Sequence, residues 1–476
     1  PYLNEAQVTS GALSYAMGAG AAVVSTPYWH AQELLAGGRG RLFPFSDHAA
    51  LSGVLLGLLS SPAELRSARE AAATFARTMA WPRIGDTYYD LFTCALRATP
   101  QPRQRPPALT TQELTRASSV PELRLDHLIR LTDDTGIIQH ATYSVPTRRS
   151  GYCVDDNARA LIVAVHADRL QGSTATRELV TTSLAYLQGS QERDGQFRNF
   201  MSYDRTLETV PPSDDCVGRA IWSLGVAASL AQDEGCRLLA REMLTRALPH
   251  AHNLGPRGAA QTVLGLVSFL GTGPSAPKST QARELLDVCV GKLLRWYADS
   301  AVDGWRWFEP SLTYDDAMLP LALFAAYGVT GERAQLRTAR ESLEFLETIC
   351  FEDEQLQLVG NAGWHSRHGE KADADEQAID ANAFVLAFRC AYMTTRDRHY
   401  LRRMRAAFAW FLGANRLGEP LYDFATGGCR DGMGTSHINQ NQGAESTICF
   451  LMSLLKMHEL AGEEDLLDDA PVVSTN

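Results

Sequence analysis

Pairs of acidic residues recur at the start of apolar, small-residue segments. They are Asp155-Asp156 ahead of NARALIVAVHA, Asp214-Asp215 ahead of CVGRAIWSLGVAASL, Asp315-Asp316 ahead of AMLPLALFAAYG, and Glu376 followed by Asp380 in EQAIDANAFVLAF. One acid at a helix start is accounted for as a cap that accepts backbone N–H groups and complements the helix dipole. The second is not needed for the cap and is left for chemistry. Carboxylates that converge on one rim repel each other, which keeps one protonated near neutral pH while another stays ionised. Cleavage of a glycosidic bond needs such a pair, one acid for the leaving oxygen and one base or nucleophile. The candidate catalytic residues are therefore Asp156, Asp215 and Asp316, with Glu445 in NQGAEST as a fourth.

The loops ahead of these segments carry aromatic and hydrogen-bonding groups: QHATYSVPTRRSGY, DGQFRNFMSYDR, DGWRWFEPSLTY and NAGWHSRHGE. Flat rings and fork-shaped polar groups suit sugar rings and their hydroxyls. The candidate substrate-binding residues are His140, Tyr143, Asp155, Arg159, Asp214, Arg219, Trp305, Trp307, Asp315, Trp364, Asp380 and Gln442. His365 and His368 with Glu370 and Asp373 match no metal-site spacing, and the Gly-rich GGCRDGMG lacks the features of a phosphate loop. No metal and no cofactor is expected.

Six segments of this apolar kind start near 155, 214, 257, 315, 377 and 442. Helices apolar nearly all round are buried on every side. Between them lie amphipathic segments at 120–132, 174–188, 236–248, 281–297, 334–348 and 398–412. Six buried helices alternating with six amphipathic ones predict an (α/α)6 toroid over 119–463, with every inner N-terminus on one bowl. A twelve-helix solenoid fits the same periodicity, but small inner residues favour closure. Strand signals are confined to short hairpins near 195–203 and 304–308. An acidic tail follows at 464–476.

Ahead of the toroid, 98–118 is Pro-rich and polar and reads as a linker. Residues 1–97 alternate: a helix at 7–18, a β-branched run at 22–25, a helix at 29–35, a strand at 41–44, and helices at 48–59 and 62–80. That order is a partial Rossmann-like α/β segment. Two strands cannot form a doubly wound sheet, and the first residue is Pro1 rather than Met, so the segment reads as the end of a longer domain.

Composition narrows the function classes. Lys and Arg total 44 against 55 Asp and Glu, for a net charge of −11, and no basic stretch is present to bind nucleic acid. The nine Cys stand singly, which fits neither a zinc site nor a disulfide framework and points to the cytoplasm. No stretch is long enough for a membrane span.

Two resemblances sit on these residues. PYLNEAQVTSGALSYAMGAGAAVVSTPYWHAQELL with GRGRLFPFSD resembles the C-terminal Rossmann half of GT-B, family-4-type retaining glycosyltransferases. Where that family carries two Glu eight residues apart, this chain has Gln7 and Tyr15, with Glu5 nearby. The resemblance therefore implies a degenerate remnant, with nucleotide-sugar binding only in company with a missing N-terminal domain. The segments GYCVDDNARAL, SDDCVGRAIWSL, YDDAMLPLAL, DEQAIDANAF and TGGCRDGM…NQNQGAEST resemble six-hairpin glycosidase-like domains, above all those joined to such a transferase in bacterial proteins. The resemblance implies an oligosaccharide or glycan partner and, first, an inverting glycoside hydrolase. The alternative is a glycosyltransferase whose toroid grips acceptor glycan. Sugar epimerisation comes third, because the first turns of the inner helices carry no His and only His140 and His437 lie nearby.

Overall fold

The structure, a computed structural model, describes residues 2–5, 9–97, 120–271, 279–352 and 354–468. The chain divides into two compact units, 1–104 and 105–476. The expected linker at 98–118 and most of the expected acidic tail lie outside the described residues.

The first unit runs α1 (Gly11–Gly18), β1 (Val23–Ser25), α2 (Trp29–Leu34), β2 (Gly40–Leu42), α3 (His48–Ser60), α4 (Pro62–Ala76) and α5 (Trp81–Arg97). The two strands are parallel, Val23 opposite Gly40 and Ser25 opposite Leu42, so β1–α2–β2 is a single βαβ step. Side chains set the helix starts: Ser10 accepts from Leu13 N, Asp47 from Ala50 N and Ser61 from Glu64 N. The Ser10 cap sets the start of α1 at Gly11, and the expected start at residue 7 lies outside the described residues. Helix α5 was not expected from the sequence, because a Pro and a Gly interrupt WPRIGDTYYDLF; Pro82 falls in the first turn, where its missing N–H costs nothing.

The second unit consists of helical hairpins. The inner helices are α7 (Val154–Gln171), α9 (Asp214–Leu230), α11 (Pro256–Leu270), α13 (Met318–Thr330), α15 (Ala378–Thr395) and α17 (Ala444–Asp468). Outside them lie α6 (Asp126–Leu131), α8 (Thr174–Ser190), α10 (Glu234–Ala247), α12 (Ser279–Ser300), α14 (Arg333–Cys350) and α16 (Arg398–Ala409). Each inner helix packs on the next, and α17 packs back on α7, so the ring is closed. This is the (α/α)6 toroid. The first outer helix, α6, packs on the last inner one. It is six residues long rather than spanning 120–132. Helix α13 starts at Met318 rather than 315, because Asp315 has a left-handed backbone, φ 55°. Among the described residues no helix is long and apolar enough to cross a membrane.

The small inner residues let neighbouring helices touch backbone to backbone. Between α9 and α11 a Cβ on Gly225 would stand 2.1 Å from the Gly265 carbonyl oxygen, and one on Gly265 2.4 Å from that of Ile221. Neither backbone can yield without separating the helices. Gly225→Ala is therefore expected to destabilise the chain by about 1–3 kcal/mol, as overpacking does. Gly189→Ala, at an exposed position of α8 with nothing within 4 Å, should raise stability by up to about 1 kcal/mol through helix propensity. Thermal unfolding of the two variants checks both signs.

Candidate active site

The inner helices begin with caps that are not the expected ones. Cys153 Sγ accepts from Asp156 N, and Ser213 Oγ accepts from Cys216 N. The paired acids thus sit inside the first turn of α7 and α9, and neither is engaged as a cap. The expectation that one acid caps its helix and its neighbour stays free is corrected here: Asp155, Asp156 and Asp215 pair with arginines, and Asp214 accepts from Gly255 N.

Three buried guanidinium groups organise the ends of the inner helices. Arg159 Nη2 on α7 donates to Asp156 Oδ1 and to Glu445 Oε2 on α17, each at 2.9 Å. Arg219 on α9 pairs with Asp155 Oδ1 at 3.2 Å, Asp215 Oδ2 at 3.3 Å and Asp315 Oδ2 at 3.6 Å. Arg257 on α11 pairs with Asp316 Oδ1 at 2.6 Å and Glu309 Oε2 at 2.8 Å. Asp315 N in turn donates to Asp380 Oδ1 at 2.6 Å, which ties in α15. The N-terminal ends of the inner helices are thereby drawn to one end of the ring.

Above them opens a cavity of about 450 Å³, walled by His140, Asp155, Asp156, Arg159, Arg219 and Glu445 among others. Glu445 is the most accessible of the arginine-bound inner-helix acids, its side chain 45% exposed against 8% for Asp156. Burial pushes the Asp156 carboxyl up, against the pull of Arg159 and with help from Glu445. Burial acts on Glu445 in the same sense, but Arg159 and Arg219 outweigh it and hold the carboxyl below its ordinary range. Two carboxyls on one guanidinium are thus driven apart in acidity. Their facing oxygens both lie 2.9 Å from the same nitrogen, so they stand no farther apart than twice that distance.

The other predicted residues are dispersed. Asp316 is buried beside a void of about 10 Å³, and burial pushes its carboxyl up to about 7, Arg257 being shared with Glu309. Asp215 lies outside the cavity wall, held by Arg219 and by the Tyr314 hydroxyl at 2.9 Å. Burial lifts Asp315 to about 6 and Asp380 well above its usual range, and both are buried. Asp214 is exposed and caps the turn before α11 through Gly255 N, so it braces the rim. Trp305 and Trp307 do not face a sugar. Both are buried, Trp305 edge-on to Phe345 and Trp307 to Phe308, because the apolar loop DGWRWF folds inward over the core. Trp364 packs 6.3 Å from Tyr314. Gln442 is a buried stitch, its carbonyl meeting His127 and its side chain meeting Asp423 and Thr426. Tyr143 borders a neighbouring cleft.

Sequence reasoning missed Arg257, although it opens the third apolar inner segment, RGAAQTVLGLVSFL. It also missed Gln139, Phe200, Gln377, Asp431, Asn439 and Ser446 on the cavity wall. Gln139 and Ser446 adjoin the predicted His140 and Glu445, whereas Phe200, Gln377, Asp431 and Asn439 are brought to the wall from separate stretches of the chain and carry no local motif.

No family model and no curated protein matches the sequence. Solved structures do. A sugar epimerase from a ruminal bacterium is similar with a TM-score of 0.56 at 11% identity, over 72% of this chain and 98% of that one. Cellobiose 2-epimerase from Spirochaeta thermophila DSM 6192 gives 0.55 at 12% identity, over 75% and 100%. A D-mannose isomerase gives 0.53 at 10% identity, over 76% and 100%. Likeness at this identity establishes the shared fold.

The buried acids make stability depend on pH. The folded-state pKa of Asp316 is raised above the value of 3.8 that an unfolded carboxyl has, so the folded chain holds the extra proton between about 4 and about 7. Stability from this group is present below that window and is lost as pH rises through it. Asp316→Asn removes the dependence, so the melting temperature of the variant relative to the parent should rise between about pH 5 and about pH 8. A difference that stays flat across that range would show Asp316 ionised throughout.

Proposed function

We propose that the toroid bowl binds a glycan and cleaves a glycosidic bond, with Glu445 as the reacting carboxylate and Asp156 as the acid. The observation that carries this reading is the Asp156–Arg159–Glu445 trio on the cavity wall, in which one carboxyl is held ionised and its neighbour is held toward the protonated form. Such a divided pair is the arrangement that assigns acid and base roles in glycosidases. Asp156 gives its proton to the leaving oxygen, and Glu445 meets the anomeric carbon. Direct attack by Glu445 gives retention where the sequence reading expected inversion, and the anomeric configuration of the first-released sugar, read by NMR, decides between them. Arg159, Arg219 and Asp155 position the sugar hydroxyls. The similar folds include sugar epimerases and a D-mannose isomerase, which agrees with a sugar in this bowl.

Epimerisation is the second reading, favoured by His140 on the same wall as Glu445, where an imidazole could move a proton at the ring. Two of the similar structures are epimerases and one is an isomerase. A glycan-gripping accessory to a glycosyltransferase would bind without turnover.

An oligosaccharide panel followed by NMR and mass spectrometry separates these. New reducing ends support cleavage, a C2 epimer of unchanged mass supports the second reading, and binding alone supports the accessory role. On a cleaved substrate, Glu445→Gln should lower kcat/KM by about three powers of ten or more, since the group acts in the transition state. Asp214→Asn on the rim should stay near the parent rate. The pH–rate profile should be bell-shaped, falling on the acid side as Glu445 gains a proton and on the alkaline side as Asp156 loses one. Asp156→Asn should abolish the alkaline limb; a limb that survives removes Asp156 as the acid.

A further inference from the structure

We infer that the bowl continues into a second, largely uncharged subsite that holds further sugar units of the same chain, so that the substrate is an oligosaccharide rather than a single sugar; this rests on the reading of the bowl above. Beside the 450 Å³ cavity lies a cleft of about 710 Å³, and the two share Gln377, Asp431 and Asn439 as common wall. Each alone falls within the roughly 300–1,000 Å³ of ordinary ligand sites. Together they exceed what one sugar needs.

The two halves differ in chemistry. The bowl presents Arg159, Arg219, Asp155 and Glu445, whereas the cleft presents the amides of Asn361, Gln377, Asn439, Gln440 and Asn441. Of the three cleft carboxyls, Glu376 is consumed by Trp410 Nε1 at 3.0 Å and Arg416 Nε at 3.3 Å, and Asp431 accepts from Gly443 N and Ser446 Oγ, each at 2.7 Å, which leaves Asp375. Amides both donate and accept, as neutral hydroxyls do. Tyr143 supplies the flat surface: its side chain is 66% exposed, a large apolar ring left in water at the cleft edge. Its backbone is left-handed, φ 52°, and is fixed from both sides, Tyr143 N donating to Asn441 Oδ1 at 2.9 Å and Tyr143 O accepting from Gln442 N at 2.8 Å. Asp375 across the cleft is also left-handed, φ 63°. Non-glycine residues keep such conformations where the surroundings enforce them, and they gather at binding sites. The ring of Tyr143 is held out and pre-positioned.

Binding of cello- and manno-oligosaccharides of one to six units, measured by calorimetry on the full chain, tests this. Affinity should rise with length beyond a single unit. Tyr143→Ala should lower the ratio of long-chain to single-sugar affinity about tenfold, the scale of one lost aromatic stacking contact, while Tyr143→Phe keeps the ratio. Affinity independent of length, or an Ala variant weakened equally at every length, overturns the second subsite and leaves the bowl reading standing. If neither series binds at any length, the bowl reading falls and takes this inference with it.

Discussion

The toroid closes through one buried guanidinium. Arg159, 3% exposed, belongs to the first inner helix and holds Asp156 on its own helix and Glu445 on the last one. A charge so buried is tolerated only when paired, and removing one partner of such a group costs about 3–5 kcal/mol. The seam is reinforced around it: Ala444 N donates to Gln139 O, Gln442 N to Tyr143 O, and His127 meets the Gln442 carbonyl at 2.8 Å. Segments some three hundred residues apart are joined where the candidate chemistry lies. Ring closure and site assembly are thus the same event, and a chain that fails to close has no Asp156–Glu445 pair.

The same device recurs around the ring. Arg219 draws carboxylates from α7, from α9 and from the loop before α13, and Arg257 draws two acids from the segment leading to α13. Arginine suits the task because its planar fork presents several donors in fixed directions, where lysine offers a single charge. Glycine contacts bring α9 and α11 close enough for those side chains to reach. Packing and electrostatics are therefore coupled: small residues set the helix spacing, and the spacing lets each cation span more than one helix.

The architecture was legible because it rests on periodicity, and the inner starts near 155, 214, 257 and 377 were read within a residue or so of the helices found. The site was less so. That acids cluster at helix starts is visible in sequence; which of them faces the cavity depends on loops folding over the bowl. Asp316 and Glu445 look alike as first-turn acids, yet one lies beside a void of about 10 Å³ and the other opens on about 450 Å³. Trp307 was read as a sugar platform from its type and loop position, and only the three-dimensional fold shows it fully buried. The caps misled for a local reason: Cys153 is a weak acceptor and an uncommon cap, so the acids beside it drew that role.

The acidity of the bowl follows from how its charges are balanced. Three arginines face Asp155, Asp156, Asp215, Asp315, Asp316, Glu309 and Glu445, with Asp380 close behind. Carboxyls outnumber cations, and the positive ends of the inner-helix dipoles offset only part of the excess. Burial forbids leaving the remainder charged. The deficit is met by protons, which is why Asp156, Asp315, Asp316 and Asp380 all shift upward while Glu445, within reach of two arginines and of solvent, shifts down. A bowl built this way holds upward-shifted carboxyls beside one exposed, downward-shifted carboxylate, and the proposed acid–base pair at its mouth draws on that imbalance.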